Sequence, residues 1–124
     1  MTSKRTILVV DDEVDLCTVL RKILTREGYS VLIALEGGKV LPLLKRNVVD
    51  LVLLDLKMPK MDGIEVLKAI RRKIKKPIPV IILTAHGSLS SAREAMELGS
   101  VDYLTKPFNL QTVKKAVREA LGED

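Results

Sequence analysis

The chain has 124 residues, with 21 Lys and Arg against 16 Asp and Glu, for a formal net charge of +5. That length suits one domain burying roughly two-thirds of the surface its unfolded form exposes, and 47% apolar with 30% charged residues supplies a core and a soluble shell, which excludes disorder. Aromatic residues make up only 2%, leaving little to stack on single-stranded nucleic acid, while one cysteine (Cys17) and one histidine (His86) exclude an internal disulfide and argue against a Cys-based zinc site.

The chain opens with a polar, basic stretch and then the aliphatic run Thr6-Ile-Leu-Val-Val10, which reads as a strand. This run is too short for the core of a signal peptide, and no run approaches membrane-spanning length. With a lone thiol suited to a reducing compartment, the sequence predicts a cytoplasmic protein with no membrane partner. A helix follows, with Leu16, Leu20, Ile23 and Leu24 on its stripe, Cys17 packed beside them as a core thiol, and Gly28 as its C-cap. Ser30-Val-Leu-Ile-Ala-Leu35 is the second strand, and the turn at Gly37-Gly38 leads into a helix that Pro42 should shorten or kink.

Asp50-Leu-Val-Leu-Leu54 is the third strand, and Ile64, Leu67, Ile70 and Ile74 mark the third helix. Val80-Ile-Ile-Leu-Thr84 leads to a helix between a Ser88 N-cap and a Gly99 C-cap. Val101-Asp-Tyr-Leu-Thr105 leads to a last helix N-capped by Asn109, with Leu110, Val113, Val117 and Leu121 on one face. The unbroken apolar character of the first, third and fourth strands predicts burial on both faces. Five strand-helix repeats with right-handed crossovers give a doubly wound, flavodoxin-like α/β fold over residues 1–124. Its sheet is parallel and five-stranded, in the order 2-1-3-4-5, with helices on both faces. The chain is too short for an eight-fold barrel.

Such sheets bind ligands beyond the carboxyl ends of their strands. There the first strand ends in Asp11-Asp12, the third in Asp55, the fourth in Thr84 and the fifth in Lys106. Three acids at one rim repel one another, so either their pKa values rise or a cation sits among them. Mg²⁺ suits such a site, being held by one or two carboxylates with phosphate oxygens among its other ligands. Metal, lysine and hydroxyl around Asp55 make the anion clamp that phosphoryl transfer needs, and a carboxylate can itself be the nucleophile.

The chain resembles the receiver domain of bacterial two-component response regulators from Ile7 to about Leu121. The motifs are Leu8-Val-Val-Asp-Asp-Glu13, Asp50-Leu-Val-Leu-Leu-Asp-Leu-Lys-Met-Pro-Lys-Met-Asp-Gly63, Ile82-Leu-Thr-Ala-His-Gly87 and Asp102-Tyr-Leu-Thr-Lys-Pro-Phe108. The resemblance implies that Asp55 accepts a phosphoryl group from a histidine kinase's phosphohistidine. Mg²⁺ would be held by Asp12 directly, Asp11 through water, Asp55, and the backbone carbonyl of Lys57. Lys106, often before a cis proline in this family, would pair with the phosphoryl group. Thr84 would bond to it, moving inward as Tyr103 swings from exposed to buried.

Lys57 and His86, two residues beyond Asp55 and Thr84, would tune the phosphoryl lifetime; a solvated loop residue is the other reading of His86. The face of the fourth helix, fifth strand and fifth helix would signal to a downstream effector and is where a homodimer would form. Thr84-Ala-His-Gly87, Ala95-Met-Glu-Leu-Gly99 and Tyr103-Leu-Thr-Lys-Pro-Phe108 look most like receivers of nitrogen-regulation-type transcription activators.

On this reading the chain is one receiver with no output domain, and its only chemistry is its own phosphorylation and dephosphorylation. Two other functions are weighed. An aspartyl-phosphate phosphohydrolase of the haloacid-dehalogenase kind needs a second acid where Lys57 stands. A phosphorylation-independent binding module has nothing to recommend it while every acceptor group is present. Flavodoxin-like cofactor binding is disfavoured because Asp11-Asp12-Glu13 would repel phosphate. The segment Arg71-Arg-Lys-Ile-Lys-Lys76 is more basic than the resemblance leads one to expect. It reads as a solvated face rather than a nucleic-acid surface, with a role in speeding encounter with an acidic partner.

Overall fold

A computed structural model describes residues 4–58, 62–85 and 89–123, and gives no side-chain description for Leu89. The expected Ser88 cap and His86 lie outside the described residues. Five strands, β1 (Thr6–Val10), β2 (Ser30–Ala34), β3 (Leu51–Asp55), β4 (Val80–Thr84) and β5 (Asp102–Thr105), pair in parallel in the order β2-β1-β3-β4-β5. The helices between and after them are α1 (Val14–Arg26), α2 (Val40–Arg46), α3 (Gly63–Lys73), α4 (Leu89–Glu97) and α5 (Leu110–Ala120).

Alternate strand residues feed two cores. Leu8, Val52, Leu54, Val80 and Ile82 pack under α2, α3 and α4 with Leu44, Leu67, Ile70 and Ala95. Ile7, Val9, Leu51, Leu53, Ile81 and Leu83 pack under α1 and α5 with Leu20, Leu24, Val113 and Val117. Every residue of β3 and β4 is buried, as their unbroken apolar runs predict for strands covered on both faces.

The helix ends follow local chemistry. Gly28 and Gly99 take φ of +96° and +84°, a conformation that strains any residue with a Cβ, and they close α1 and α4. Asn109 Oδ1 accepts from Gln111 N at 2.7 Å and caps α5, and Asp62 Oδ1 accepts from Ile64 N at 2.8 Å and caps α3. Of the two outcomes expected for Pro42, the structure takes shortening: α2 has 7 residues and follows a 3-10 turn at Gly37–Lys39. Pro42 stands third in α2, among the residues whose N–H has no intrahelical acceptor, so it breaks no hydrogen bond. Cys17 is buried on its stripe, its Sγ donating to Asp11 O at 3.3 Å, and burial raises its pKa to about 11. An inert thiol follows, as expected of a core cysteine.

One expectation is corrected. Arg71 is not on a solvated face: its guanidinium donates to the backbone oxygens of Leu98 at 2.8 Å, Ile78 at 2.7 Å and Gly99 at 3.1 Å. It ties the end of α3 to the end of α4 and to the lead-in of β4. Hydrogen bonds from a charged donor contribute about 1.5–3 kcal/mol each where well formed, and these share one partly exposed side chain. Arg71→Met is therefore expected to destabilise the protein by about 3 kcal/mol. The check is urea unfolding, with a lower midpoint at unchanged slope; an unmoved midpoint would mean that the three carbonyls are equally well served by water.

Candidate functional site

Parallel pairing brings the carboxyl ends of the strands together, with Val10 opposite Leu54, Asp55 opposite Leu83 and Thr84 opposite Thr105. The residues just beyond or ending these strands therefore meet at one rim. Carboxylate oxygens of Asp11, Asp12 and Asp55 all lie within 4.8 Å of one another. Asp11 and Asp55 are buried and Asp12 is exposed. Lys106 Nζ sits against this group, 2.7 Å from Asp11 Oδ2, 2.8 Å from Glu13 Oε1 and 3.7 Å from Asp55 Oδ2. Lys106–Pro107 is a cis peptide bond, as the resemblance implies. The backbone N of Lys106 donates to Thr84 O, which holds the two strand ends in register.

Asp55 is further fixed by the backbone N–H of Lys57, which donates to its Oδ1 at 3.2 Å. Burial pushes the Asp55 pKa up from 3.8 to about 6. The Lys57 N–H pulls it back, the Asp11 and Asp12 charges raise it, and Lys106 lowers it. For Lys106, burial works against the charge, but bonds to Asp11 and Glu13 outweigh it and the net shift is upward. The lysine is thus held as a cation throughout the physiological range.

The sign of the Asp55 shift fixes a pH dependence. A carboxyl that titrates higher folded than unfolded contributes stability below about pH 4, lost as pH rises through about 6. Above that Asp55 is ionised, the state of the carboxylate that a divalent cation binds. Mg²⁺ affinity is expected to rise steeply between pH 5 and 7 with a midpoint near 6. Calorimetric titration with Mg²⁺ across that range checks this, and a flat profile would contradict the Asp55 assignment.

Thr84 is fully buried, and its Oγ1 has no hydrogen-bond partner among the described residues. Tyr103 packs against the core under α2, α3 and α4, with its hydroxyl also buried and unpartnered among the described residues. A buried hydroxyl without a partner costs about 1–3 kcal/mol. Lys57 is exposed beside Asp55, and His86 lies outside the described residues.

Glu13, which the sequence offers only as part of the Leu8–Glu13 motif and as an acid that would repel phosphate, is a principal partner of Lys106. Gly63 has no role assigned from the sequence. It opens α3 directly against the end of β3, its N–H donating to Leu56 O at 2.9 Å. A Cβ there would overlap the backbone oxygen of Asp55 and the Cα of Leu56. Gly63→Ala must displace the backbone that carries Asp55. It is expected to cost about 2 kcal/mol of stability and to weaken Mg²⁺ binding at least tenfold. Parallel unfolding and metal titrations test this, and wild-type affinity in the variant would show that the loop absorbs the methyl group elsewhere.

Residues 7–118 match the family model described as "Response regulator receiver domain". The chain belongs to that family. This receiver is 44% identical over 116 residues to the transcriptional regulatory protein ZraR of Klebsiella oxytoca, a match covering 94% of the chain and 26% of ZraR. The chain thus spans about a quarter of the length of such relatives. It is 40% identical to sporulation initiation phosphotransferase F of Bacillus subtilis over 115 residues, 93% of the chain and 92% of that protein. The crystal structure of response regulator protein TrrA from Thermotoga maritima in complex with Mg²⁺-BeF superposes with a TM-score of 0.84 at 36% identity, covering 94% of this chain and 99% of that one. The receiver fold and its place among phosphoacceptor signalling switches of two-component systems are those expected from the motifs. Its acidic rim has the donor set of a divalent-cation pocket.

Proposed function

We propose that Asp55 is the phosphoacceptor of this receiver, taking its phosphoryl group from the phosphohistidine of a sensor kinase. The observation that carries the reading is the convergence on one buried carboxylate of two further acids and one lysine, 3.7 Å away. An Asp55 oxygen forms the new P–O bond as the P–N bond to the donor imidazole breaks, and the electron pair leaves with the imidazole nitrogen. Asp11, Asp12, Asp55 and the Lys57 carbonyl would hold Mg²⁺, which when bound supplies positive charge for the phosphoryl oxygens. Asp55 is held in place by the Lys57 N–H, and Lys106 supplies a cation within reach of the added group. Lys57 also stands where a haloacid-dehalogenase-like phosphohydrolase would need its general acid, which speaks against external phosphoester turnover.

Phosphorylation adds a charge of about −1.5 to −2 at the rim. Lys106 then has a stronger partner than Asp11 and Glu13, and the Thr84 hydroxyl, without a partner among the described residues, gains an acceptor. Two or three charge-assisted bonds supply the few kcal/mol that a two-state face needs. The α4-β5-α5 face, with Tyr103 on β5, passes the change to a downstream effector. Exposed Lys57, and His86, would set the phosphoryl lifetime by controlling access of water. The setting is cytoplasmic; among the described residues no helix is long and apolar enough to cross a membrane. The test is incubation with acetyl phosphate and Mg²⁺ followed by intact-mass measurement. A gain of one phosphoryl group, lost in excess chelator, is expected; no gain with any small phosphodonor or kinase overturns the reading.

A further inference from the structure

We propose that a second site, on the rim opposite Asp55, binds a phosphorylated organic anion of nucleotide size. The site is a cleft of about 480 Å³ at the amino-terminal ends of β4 and β5, within the ~300–1,000 Å³ common for small-molecule pockets. Its ionisable lining residues, Arg71, Lys75 and Lys76, are all cationic, and the rest of its wall includes Ile74, Pro77 and Val101. None of the three cations forms an ion pair with a carboxylate among the described residues.

Arg71 is the fixed element of this cleft. Three of its five N–H groups are spent on the backbone oxygens of Leu98, Ile78 and Gly99, which leaves one N–H on each terminal nitrogen. The guanidinium is therefore held in one orientation with its charge met only by carbonyl dipoles. Partial burial disfavours that charge, and the Arg71 pKa is lowered accordingly. An anion seated here relieves that cost through charge-assisted hydrogen bonds.

The helix dipole does not account for the whole cluster. Arg71, Arg72 and Lys73 lie in the last turn of α3, where cations are favoured. Lys75 and Lys76 come after the C-cap residue Ile74 and extend the positive charge into the cleft. The apolar side is as informative. Val101 is 50% exposed beside the prolines, a surface that an inorganic ion leaves wet and an aromatic or aliphatic body covers. Phosphate on the cations and a ring on Ile74, Pro77 and Val101 use both halves.

The experiment is a ¹H–¹⁵N titration of the intact protein with ATP, AMP and inorganic triphosphate, with chelator present and at moderate salt. ATP and AMP are expected to shift the amides of residues 71–76, 78 and 99–101. Triphosphate is expected to bind at least tenfold more weakly than ATP. Lys75→Glu with Lys76→Glu, both on exposed residues, is expected to weaken ATP at least tenfold while leaving acetyl phosphate labelling intact. Asp55→Asn is expected to bind ATP unchanged, so this site and the phosphoacceptor reading stand or fall separately. Equal affinity for triphosphate and ATP, shifts centred on the lysine pair of α5, Lys114 and Lys115, or an unaffected double variant would each overturn the proposal.

Discussion

Asp55→Asn is expected to take up no phosphoryl group from acetyl phosphate under conditions where the wild-type protein is fully labelled. The substitution keeps the shape of the side chain and leaves an oxygen to accept from the Lys57 N–H, so the strand end and the rim stay in place. What it removes is the nucleophilic carboxylate. It also removes a charge that burial disfavours, since Asp55 titrates at about 6 rather than 3.8. At pH 7 the metal-free variant should therefore be more stable than wild type, by about 3 kcal/mol for a carboxyl raised from 3.8 to about 6. Loss of labelling together with a raised unfolding midpoint separates loss of chemistry from loss of fold. A base-labile phosphoryl label surviving in the variant would move the acceptor to Asp11 or Asp12.

Lys106→Ala is expected to have the other large effect, on coupling rather than on acceptance. The lysine contacts Asp11, Glu13 and Asp55 at once, and Asp11 is fully buried. Removing the cation leaves that carboxylate uncompensated, which costs about 3–5 kcal/mol by the general behaviour of broken buried pairs. Because Lys106 lowers the Asp55 pKa, its loss should move the midpoint of the Mg²⁺ pH profile above 6. The variant should still accept phosphoryl, since Asp55 and the two other acids remain. It should switch poorly, because the charged link from the rim to the end of β5 is then lost. Resonance shifts at Tyr103 on adding beryllofluoride report this: large in wild type and strongly reduced in the variant. Equal shifts would transfer the coupling role from Lys106 to Thr84 alone.

The central strands β1, β3 and β4 were legible because they are buried on both faces, and the unbroken aliphatic runs of β3 and β4 leave no other placement. The rim was legible for a related reason. Polar residues ending apolar runs stand out, and the strand order brings Asp11, Asp55, Thr84 and Lys106 to one end.

What stayed hidden depends on tertiary contacts that composition does not encode. Arg71 sits in a basic run that looks solvated, and only the approach of α4 and the β4 lead-in supplies its three carbonyls. Glu13 follows two more conspicuous acids, and its bond to Lys106 spans 93 positions. Gly63 has no local feature such as a positive φ to flag it; its need for a missing Cβ comes from the backbone of Asp55 and Leu56. A glycine at the start of a helix, eight residues beyond a strand-end acid, was the available signal.

The measurement that bears most directly on the central claim is chemical trapping of the phosphorylated protein. Borohydride reduces an aspartyl phosphate to homoserine, and peptide sequencing by mass spectrometry then locates it. Homoserine is expected at position 55 alone, formed only after incubation with Mg²⁺ and phosphodonor. Homoserine at Asp11 or Asp12, or a phosphorylated protein that yields none, would contradict it.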